Sequence, residues 1–152
     1  NEYLLKHCDY LRTMLSRKTK YGIKALVYLA KQEKGKKVQT LAIAESENIS
    51  HKFLEAIMLT LRKGGFLSAK KGKGGGYYLL KNPSEIWMSD VIRCLEGPIA
   101  MLPCVSLNFY EKCDDCPDES TCAINHLMVE VRDSTLAVLK TKSLADLVAS
   151  TT

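Results

Sequence analysis

Apolar residues recur at three- and four-residue intervals along the first half of the chain, which is the period of helices with one buried face. The first helix begins near Ser16 or Thr19, both common N-cap residue types, and ends in the KGKK stretch at 34–37. A second helix, LAIAESE, follows Thr40 as its N-cap and stops at Asn48. The pattern therefore predicts two short helices before the next polar turn.

A third helix, HKFLEAIMLTLRK, follows Ser50 as its N-cap. Gly64 and Gly65 end it, as glycines commonly end helices. Its apolar stripe consists of Leu54, Ile57, Met58 and Leu61. The second and third helices are joined by about four residues, NISH or slightly less, and this spacing is typical of a helix-turn-helix unit.

Two short runs, FLSAK and YYLLK, favour β-strands and enclose a glycine-rich loop. A helix, a helix-turn-helix unit and a β-hairpin follow one another in the order of a winged-helix domain. The loop glycines would shape the tip of the wing, and they are Gly72, Gly74, Gly75 and Gly76. A Walker A phosphate loop is excluded because no Gly-Lys-Ser/Thr closes the motif and no helix follows. A plain surface hairpin is the alternative.

The second half of the chain has a different pattern. Pro83 breaks the chain after the hairpin, and Ser89 caps a helix, DVIRCLE, that ends at Gly97. An irregular, cysteine-rich stretch follows from 98 to about 121, and a long amphipathic helix is predicted over 123–141. We therefore expect a small connecting helix, a loop and one long helix.

The long helix carries an apolar stripe that needs a partner. The stripe consists of Ile124, Leu127, Met128, Val131, Thr135, Val138 and Leu139. The expected partner is the same helix of a second copy, so a homodimer interface is predicted at Leu127, Val131, Thr135 and Val138. The alternative is that the helix folds back on its own winged domain.

These elements predict a fold that is mainly α with a small β-hairpin, a winged helix-turn-helix domain followed by a long dimerisation helix. Residues 1–13 are treated as an extension, and the winged domain is expected over 14–82. The linking helix and the cysteine-rich loop, a candidate sensor, occupy 83–122, and the dimerisation helix and C-terminal tail occupy 123–152. A chain of 152 residues allows one core with a small appendage.

Charge is distributed unevenly between the two halves of the chain. Residues 14–81 carry 15 lysines and arginines and 4 glutamates, a net charge of +11. Residues 82–152 carry 5 lysines and arginines and 11 aspartates and glutamates, a net charge of −6. This asymmetry indicates that the first half meets a polyanion, with a solvated lysine-rich face as the alternative. The chain has no apolar run long enough to span a membrane and no secretory-signal pattern at its start, so we expect a cytoplasmic protein.

The cysteines form the sharpest chemical motif. Cys104, Cys113, Cys116 and Cys122 precede His126 with the spacing C-x8-C-x2-C-x5-C-x3-H. Thiolates on a pliable loop suit an iron–sulfur cluster. Zinc is the alternative metal, although zinc loops more often have two C-x-x-C pairs. A thiol–disulfide switch and unliganded thiols also remain open.

Other candidate chemical groups have structural interpretations. Cys94 lies within a predicted helix and is interpreted as a buried structural thiol. Asp114 and Asp115 lie in a loop between thiols, where they would be solvated. The chain contains no pairing of a nucleophile with a base, so we expect that it is not an enzyme and has no small-molecule substrate.

Taken together, the stretches LSRKTKYGIKALVYLA, ISHKFLEAIMLTLRKGGFLSAKKGKGGGYYL and the four cysteines before a long helix resemble the Rrf2 family of bacterial winged-helix transcription regulators. The resemblance covers residues 14–148. It implies a homodimer that binds a near-palindromic double-stranded DNA operator, and no membrane partner is expected. It also implies a loop that holds a labile iron–sulfur cluster whose state changes DNA affinity.

The resemblance also assigns residues to the DNA surface. Phe53 and Glu55 correspond to recognition-helix positions that reach bases, and Ser50 and Lys52 lie near the DNA backbone. Lys71 takes the wing position at which an arginine often enters the minor groove. The full set expected at DNA is Ser50, His51, Lys52, Phe53, Glu55, Lys70, Lys71, Lys73, Gly74 and Gly75.

The chain departs from the family pattern at the cysteines. The iron–sulfur cluster regulator has a histidine three residues after its last loop cysteine, whereas Asn125 takes that place here and His126 is one residue later. The resulting prediction is a DNA-binding transcription regulator, a repressor, whose activity depends on a cluster or on thiol redox state in the loop. The alternative is a zinc-stabilised interaction or nucleic-acid-binding module without a sensory switch.

Overall fold

The computed structural model describes residues 15–151, so the extension expected over residues 1–13 lies outside the described residues. The helices are α1 (Arg17–Ala30), α2 (Thr40–Glu47), α3 (His51–Lys63), α4 (Met88–Glu96), α5 (Ala123–Leu139) and α6 (Leu144–Ala149). The strands are β1 (Leu67–Lys70) and β2 (Gly76–Leu79). Short 3-10 turns lie at Pro83–Glu85, Pro103–Val105 and Glu119–Thr121. The predicted fold class, mainly α with one β-hairpin in a winged helix-turn-helix arrangement, is confirmed.

The hairpin is antiparallel, with Leu67 opposite Leu79 and Lys70 opposite Gly76. A third segment joins it, because Val38 and Tyr77 exchange backbone hydrogen bonds of 2.9 and 2.8 Å. Gly76 has a φ of +151°, and a Cβ at this position would lie 2.5 Å from the Val38 carbonyl oxygen. Glycine is therefore required where the segment before α2 crosses the wing.

One apolar core unites the winged domain. Helix α1 packs against α3, α4 and α6, and α3 also packs against α2 and β1. The largest side chains that are fully buried include Leu26, Ile43, Leu54, Ile57, Met58, Leu61, Leu67, Ile86 and Leu144. The apolar stripe predicted for the third helix is therefore the face that α3 buries.

Two predicted helix caps are wrong, and long-range backbone pairing explains both. Helix α2 begins at Thr40 with Gln39 as its N-cap, directly after the Val38 bridge. Helix α4 begins at Met88 with Trp87 as its N-cap, and Ser89 is buried inside it. Two predicted N-cap positions are correct: the Ser16 hydroxyl accepts the Thr19 backbone N–H at 3.3 Å, and Ser50 precedes α3 although its side chain forms no capping bond.

The segment after α5 returns to the core. Helix α5 ends at Leu139, two residues before its predicted end. The Met88 N–H then donates to the Lys142 carbonyl, and the Leu144 N–H donates to the Ile86 carbonyl. Leu144 is fully buried, so α6 holds the end of α5 against the winged domain. Among residues 15–151, no helix is both long enough and apolar enough to cross a membrane.

Candidate nucleic-acid interface and thiol loop

A three-residue turn joins α2 to α3. Asn48 has a left-handed φ of 51°, a conformation that asparagine tolerates better than most residues. Ile49 follows it into the core at 6% exposure, and its N–H donates to the Ala44 carbonyl at 2.9 Å. The turn is therefore fixed by one buried side chain and by backbone hydrogen bonding, as expected for a helix-turn-helix unit.

The outer face of α3, with its N-cap, presents half of the residues predicted to meet DNA. The exposed residues on this face and at its N-cap are Ser50, His51, Lys52, Phe53 and Glu55. The His51 Nε2 lies 3.7 Å from the Glu55 Oε1, one helical turn away. The face therefore carries a cation, an acceptor and an aromatic ring on a helix whose other side is buried.

Phe53 is the aromatic group of this surface, and α1 holds it in place. Its ring meets Tyr21 edge to face, with centroids 6.0 Å apart and planes at 79°. Phe53 nevertheless remains 40% exposed. The ring is positioned by α1 and still accessible, which suits contact with a thymine methyl group in a major groove.

The wing tip is built from glycines and lysines. Gly72 and Gly74 have φ values of +95° and +76°, which favour glycine over other residues. The Gly75 N–H donates to the Gly72 carbonyl at 2.9 Å and closes the turn. Lys70, Lys71 and Lys73 surround this turn and are all exposed. The tip therefore concentrates positive charge with little side-chain bulk at the turn itself.

A concave surface of about 280 Å³ connects the recognition helix to the wing. Its lining includes His51 from α3 together with Lys70, Gly72 and Gly75 from the wing. The start of α2 also lines it, through Gln39, Thr40 and Leu41. The sequence prediction omitted these three residues, although their place at the start of the first helix of the helix-turn-helix unit could have indicated them. Of the residues predicted at DNA, His51, Lys70 and Gly75 thus line one shared surface.

Cys104 is the buried cysteine of the loop, and α5 holds it in place. It lies in the turn Pro103–Val105 at 9% exposure. The Asn125 Nδ2 donates to the Cys104 Sγ at 3.6 Å. The Arg132 Nη1 donates to the Val105 carbonyl at 2.7 Å. Two side chains of α5 therefore fix the turn that carries this thiol.

Cys122 is fixed at the other end of the loop. It is the N-cap of α5, and its sulfur accepts the Asn125 backbone N–H at 3.4 Å. Cys116 lies within hydrogen-bonding reach of Cys122, and Cys113 lies within reach of Cys104. The four thiols predicted as metal ligands are therefore arranged as two close pairs.

The environment of the loop favours protonated thiols at Cys113 and Cys116. Desolvation, together with the Cys104 thiol, raises the pKa of Cys113 to about 11. Desolvation and the neighbouring Cys122 thiol raise the pKa of Cys116. A bound metal would oppose both effects, since metal ions bind the thiolate form.

The four cysteines of the loop are ligands of the right chemical type for an iron–sulfur cluster, because thiolates are the usual ligands of such clusters. It does not present a preassembled site: among residues 15–151, no three His, Cys, Asp or Glu side chains converge as a metal site requires. His126 is exposed, as are Asp114 and Asp115. The thiols would have to move from two pairs into one group to hold a cluster.

Cys94 is separate from these pairs. Its sulfur lies 3.8 Å from the Thr60 carbonyl oxygen, where α4 packs on α3. A Cβ added to Gly64 would come within 2.4 Å of this sulfur. Burial raises the pKa of the Cys94 thiol. Cys94 was predicted to be buried but is half-buried, in contact with α3.

One side of α5 is left open. Asn125 and Leu136 are buried on the side that faces the turn at Pro103–Val105 and α4. Of the four predicted interface residues, Leu127 and Val138 are 54% and 59% exposed. The other two, Val131 and Thr135, are half-buried. The helix therefore packs on its own chain through one face and presents a second apolar face to solvent.

Helix α4 is tied to the start of α1 by Glu96. Its carboxylate accepts hydrogen bonds from the Ser16 hydroxyl at 2.6 Å and the Thr19 hydroxyl at 2.5 Å. Desolvation alone would raise the pKa of Glu96, but these hydrogen bonds hold it below its usual range. Lys18 adds a bond from its Nζ to the Leu95 carbonyl at 2.9 Å. The chain enters the cysteine loop directly after this junction.

Comparison with known families gives one match over nearly the whole chain. The model of the Rrf2 family, described as an iron-dependent transcriptional regulator, matches residues 15–150. A putative HTH-type transcriptional regulator of Rhodobacter capsulatus, described as rrf2-like, is 41% identical over 140 residues, which cover 90% of this chain and 93% of the relative.

Solved structures give the same result. CymR of B. subtilis, described as its global cysteine regulator, has a TM-score of 0.73 and 30% identity, covering 90% of this chain and 96% of that chain. IscR of T. potens has a TM-score of 0.71 and 30% identity, covering 91% of this chain and 88% of that chain. The family model and the R. capsulatus relative are described as transcriptional regulators, which confirms the prediction that the chain is not an enzyme.

Proposed function

The chain belongs to the Rrf2 family of transcriptional regulators, and we propose that it is a repressor that binds a near-palindromic DNA operator as a homodimer. One observation carries the proposal: the exposed face of α3 and the lysine-rich wing lie on the same side of the domain, joined by one concave surface. A recognition helix in the major groove with a basic wing on the flanking backbone needs this arrangement. Because bacterial DNA lies in the cytoplasm, the proposed function places this protein there.

The proposed division of labour follows from the chemistry of each group. Glu55 is exposed on α3 and can accept a hydrogen bond from cytosine N4. Phe53 offers an apolar edge to a thymine methyl group. Lys71 and the other wing lysines are placed for phosphates or a narrow minor groove, where positive charge is attracted whatever the base sequence.

The homodimer is supported by the open face of α5. An amphipathic helix with one face on its own domain and another exposed apolar face is stabilised when a second copy covers that face. Leu127, Val131, Thr135 and Val138 would then face the partner helix. Two copies related by a two-fold axis would present two recognition helices to the two halves of a palindrome.

The cysteine loop is the proposed sensor. The family description is iron-dependent, and the loop carries four thiols of suitable donor chemistry at Cys104, Cys113, Cys116 and Cys122. An iron–sulfur cluster held there would supply a redox-sensitive, labile group. Zinc is the second candidate, supported by the same four thiols, and it would give the loop a structural site without redox chemistry.

Coupling from loop to DNA would pass through the two helices that flank the loop. Cys122 caps α5, the proposed dimer helix, and the chain enters the loop from α4, which Glu96 ties to α1. A change in the loop that favours one arrangement of α4 and α5 would change the separation of the recognition helices. We therefore assign residues 14–82 to DNA binding, 83–122 to sensing and 123–152 to dimerisation.

Anaerobic purification followed by absorption spectroscopy and metal analysis tests the sensor. We expect iron and sulfide with visible absorption, which Cys104→Ala or Cys122→Ala abolishes and Cys94→Ala leaves unchanged. Colourless protein with stoichiometric zinc, and unchanged DNA binding after chelation, would contradict the sensor and leave an ordinary repressor with a structural metal site.

A further inference from the structure

The sheet of the wing lacks most of a third strand. Val38 pairs with Tyr77 through two backbone hydrogen bonds, on the edge of β2 that faces away from β1. This pairing is a single bridge, because the preceding chain turns away in a turn that the Lys36 N–H closes with a 3.0 Å hydrogen bond to the Glu33 carbonyl. The outer edge of β2 is therefore covered at Tyr77 and left open further along.

Leu79 carries the open backbone groups of this edge. Alternate residues of a strand direct their N–H and C=O groups to the same edge, so Leu79 faces the same side as Tyr77. The Leu80 N–H accordingly points the other way and donates to the Phe66 carbonyl at 3.0 Å. Among residues 15–151, no backbone hydrogen bond joins Leu79 to the turn that precedes the bridge. An unpaired N–H and C=O on a strand edge form a template for another extended chain.

A cavity of about 620 Å³ lies beside this open edge. The turn bounds it on one side, and β2 with the residues that follow it bounds the other side. Leu29 and Leu79 contribute apolar surface, and Leu80 lines the cavity while remaining 54% exposed. The cavity therefore occupies the place of the missing strand and offers an apolar wall to the side chains of an incoming segment.

The charge of the cavity selects among possible segments. The lysines that line it, all exposed, are Lys34, Lys36 and Lys81. Within the described part of the chain, Lys34 and Lys81 form no ion pair. Of the two carboxylates in the lining, Glu85 accepts the Asn82 N–H at 3.1 Å, and Glu33 lies in the exposed turn. Two cations are therefore available to a negatively charged partner.

We propose that the cavity is a docking site for an extended acidic segment of a partner protein, which pairs with β2 at Leu79 and takes the place of the missing strand. In strand addition, main-chain hydrogen bonds give affinity and contacts of alternate side chains give specificity. The segment alternates apolar residues, which contact Leu80 and the cavity wall, with acidic residues, which face Lys34 and Lys81. A small organic anion fits less well, because it has no donor for the Leu79 carbonyl.

The docking site lies at the opposite end of β2 from the surface proposed for DNA. That surface includes Gly76, and Leu79 is three residues further along β2, about 10 Å in an extended strand. A docked segment therefore leaves the wing tip free. The docking site does not rest on the proposed function, but together the two would hold a partner protein at the operator.

Fluorescence anisotropy with a labelled peptide tests the docking on the full chain. The probe is an end-blocked peptide in which valine alternates with glutamate over six residues. We expect saturable binding that is lost when the amide nitrogens of the probe are methylated, because methylation removes the donors needed for strand pairing. A probe with lysine in place of glutamate should not bind. Equal binding of the methylated probe or of the lysine probe would overturn the proposal.

Charge-reversal variants test whether the probe occupies the cavity. Lys34→Glu and Lys81→Glu combined in one chain should raise the Kd of the glutamate probe by about tenfold, because attraction becomes repulsion. Lys20→Glu is the matched control, since Lys20 is exposed on α1 outside the cavity, and it should leave the Kd unchanged. A folded double variant, judged by circular dichroism, that binds the probe as wild type does would contradict this location.

Hydrogen exchange at the Leu79 amide reports the strand pairing directly. In NMR spectra of the full chain, the bound probe should slow exchange of the Leu79 amide and leave the Gly72 amide at the wing tip unchanged. Unchanged exchange at Leu79 with the probe bound would rule out pairing at this edge.

Operator binding, measured on the same preparation, keeps this proposal separate from the proposed function. Probe binding at Leu79 by a chain that binds no operator would contradict the regulator and leave the docking site standing. Operator binding by a chain that binds no probe would contradict the docking site and leave the regulator standing.

Discussion

The Glu96 carboxylate accepts a 2.6 Å hydrogen bond from the Ser16 hydroxyl, across 80 positions of sequence. This contact joins the end of α4 to the N-cap of α1, the helix that also positions the Phe53 ring through Tyr21. The cysteine loop begins directly after Glu96. Glu96 therefore binds the start of α1 in the proposed DNA-binding domain and lies directly before the loop that is the proposed sensor.

Glu96→Ala should destabilise the fold. It removes the acceptor of the Thr19 hydroxyl, which is fully buried, and an unpaired buried hydroxyl costs about 1–2 kcal/mol. Chemical denaturation at neutral pH measures the loss. Glu85→Ala, which removes an exposed carboxylate in a capping turn, is a milder control. Equal stability of Glu96→Ala and wild type would contradict the role of this junction.

The same junction predicts a pH dependence of stability. The folded-state pKa of Glu96 is lowered, so its stabilising contribution is present above the unfolded-state pKa of about 4.3 and is lost as pH falls through the folded-state value. Glu96→Gln cannot ionise. We expect the difference in unfolding free energy between wild type and Glu96→Gln to be constant near neutrality and to shift against wild type in acid. A difference independent of pH would contradict this prediction.

Glu55→Ala should relax base preference at one operator position. A lost hydrogen bond to cytosine N4 reduces discrimination by about 1–3 kcal/mol at that position. The measurement is competition binding against operators changed one base pair at a time. Glu45→Ala, an exposed glutamate on α2, is the matched control. A uniform change at every operator position would mean that Glu55 does not read a base.

Lys71→Ala should instead weaken binding to all sequences. Removal of one phosphate contact lowers the slope of log affinity against log salt by about one unit. Titrations at several salt concentrations give the slope. Lys31→Ala, an exposed lysine at the end of α1, should leave the slope unchanged. Loss of specificity equal to that of Glu55→Ala would contradict the proposed division of labour.

Leu127→Asp should dissociate the proposed dimer without unfolding the single chain. Leu127 is 54% exposed in the single chain, so a carboxylate is tolerated there, but an unpaired charge in an apolar seam opposes association. Sedimentation should show monomer, and operator affinity should fall sharply. Ala137→Asp, on the exposed polar side of α5, is the control. A dimeric Leu127→Asp variant would place the dimer contact elsewhere.

The sequence was sufficient for the helix-turn-helix unit and the wing because their signals are local. The stripe of α3, the polar turn before it and the glycines of the wing each depend on neighbouring residues. The two wrong caps, Thr40 and Ser89, arose where backbone pairing with distant segments sets the helix start. The return of α6 to the core depends on such pairing too, through Ile86 and Leu144.

The positions of the thiols in the cysteine loop were also not predictable from the sequence. The spacing of the four cysteines predicts thiolate ligands but gives no position for any of them in the fold. In the structure, Asn125 on α5 contacts the sulfurs of both Cys104 and Cys122. A contact set by one residue of a packed helix cannot be derived from spacing along an irregular loop.

Footprinting of the purified protein on the DNA upstream of its own gene tests the central claim most directly. A homodimer that uses α3 and the wing should protect two half-sites whose centres lie about 34 Å apart, on one face of the duplex. Leu127→Asp should lose this protection, whereas Ala137→Asp should retain it. Binding without sequence preference, displaced equally by unrelated DNA, would contradict an operator-binding regulator and favour a general nucleic-acid-binding module.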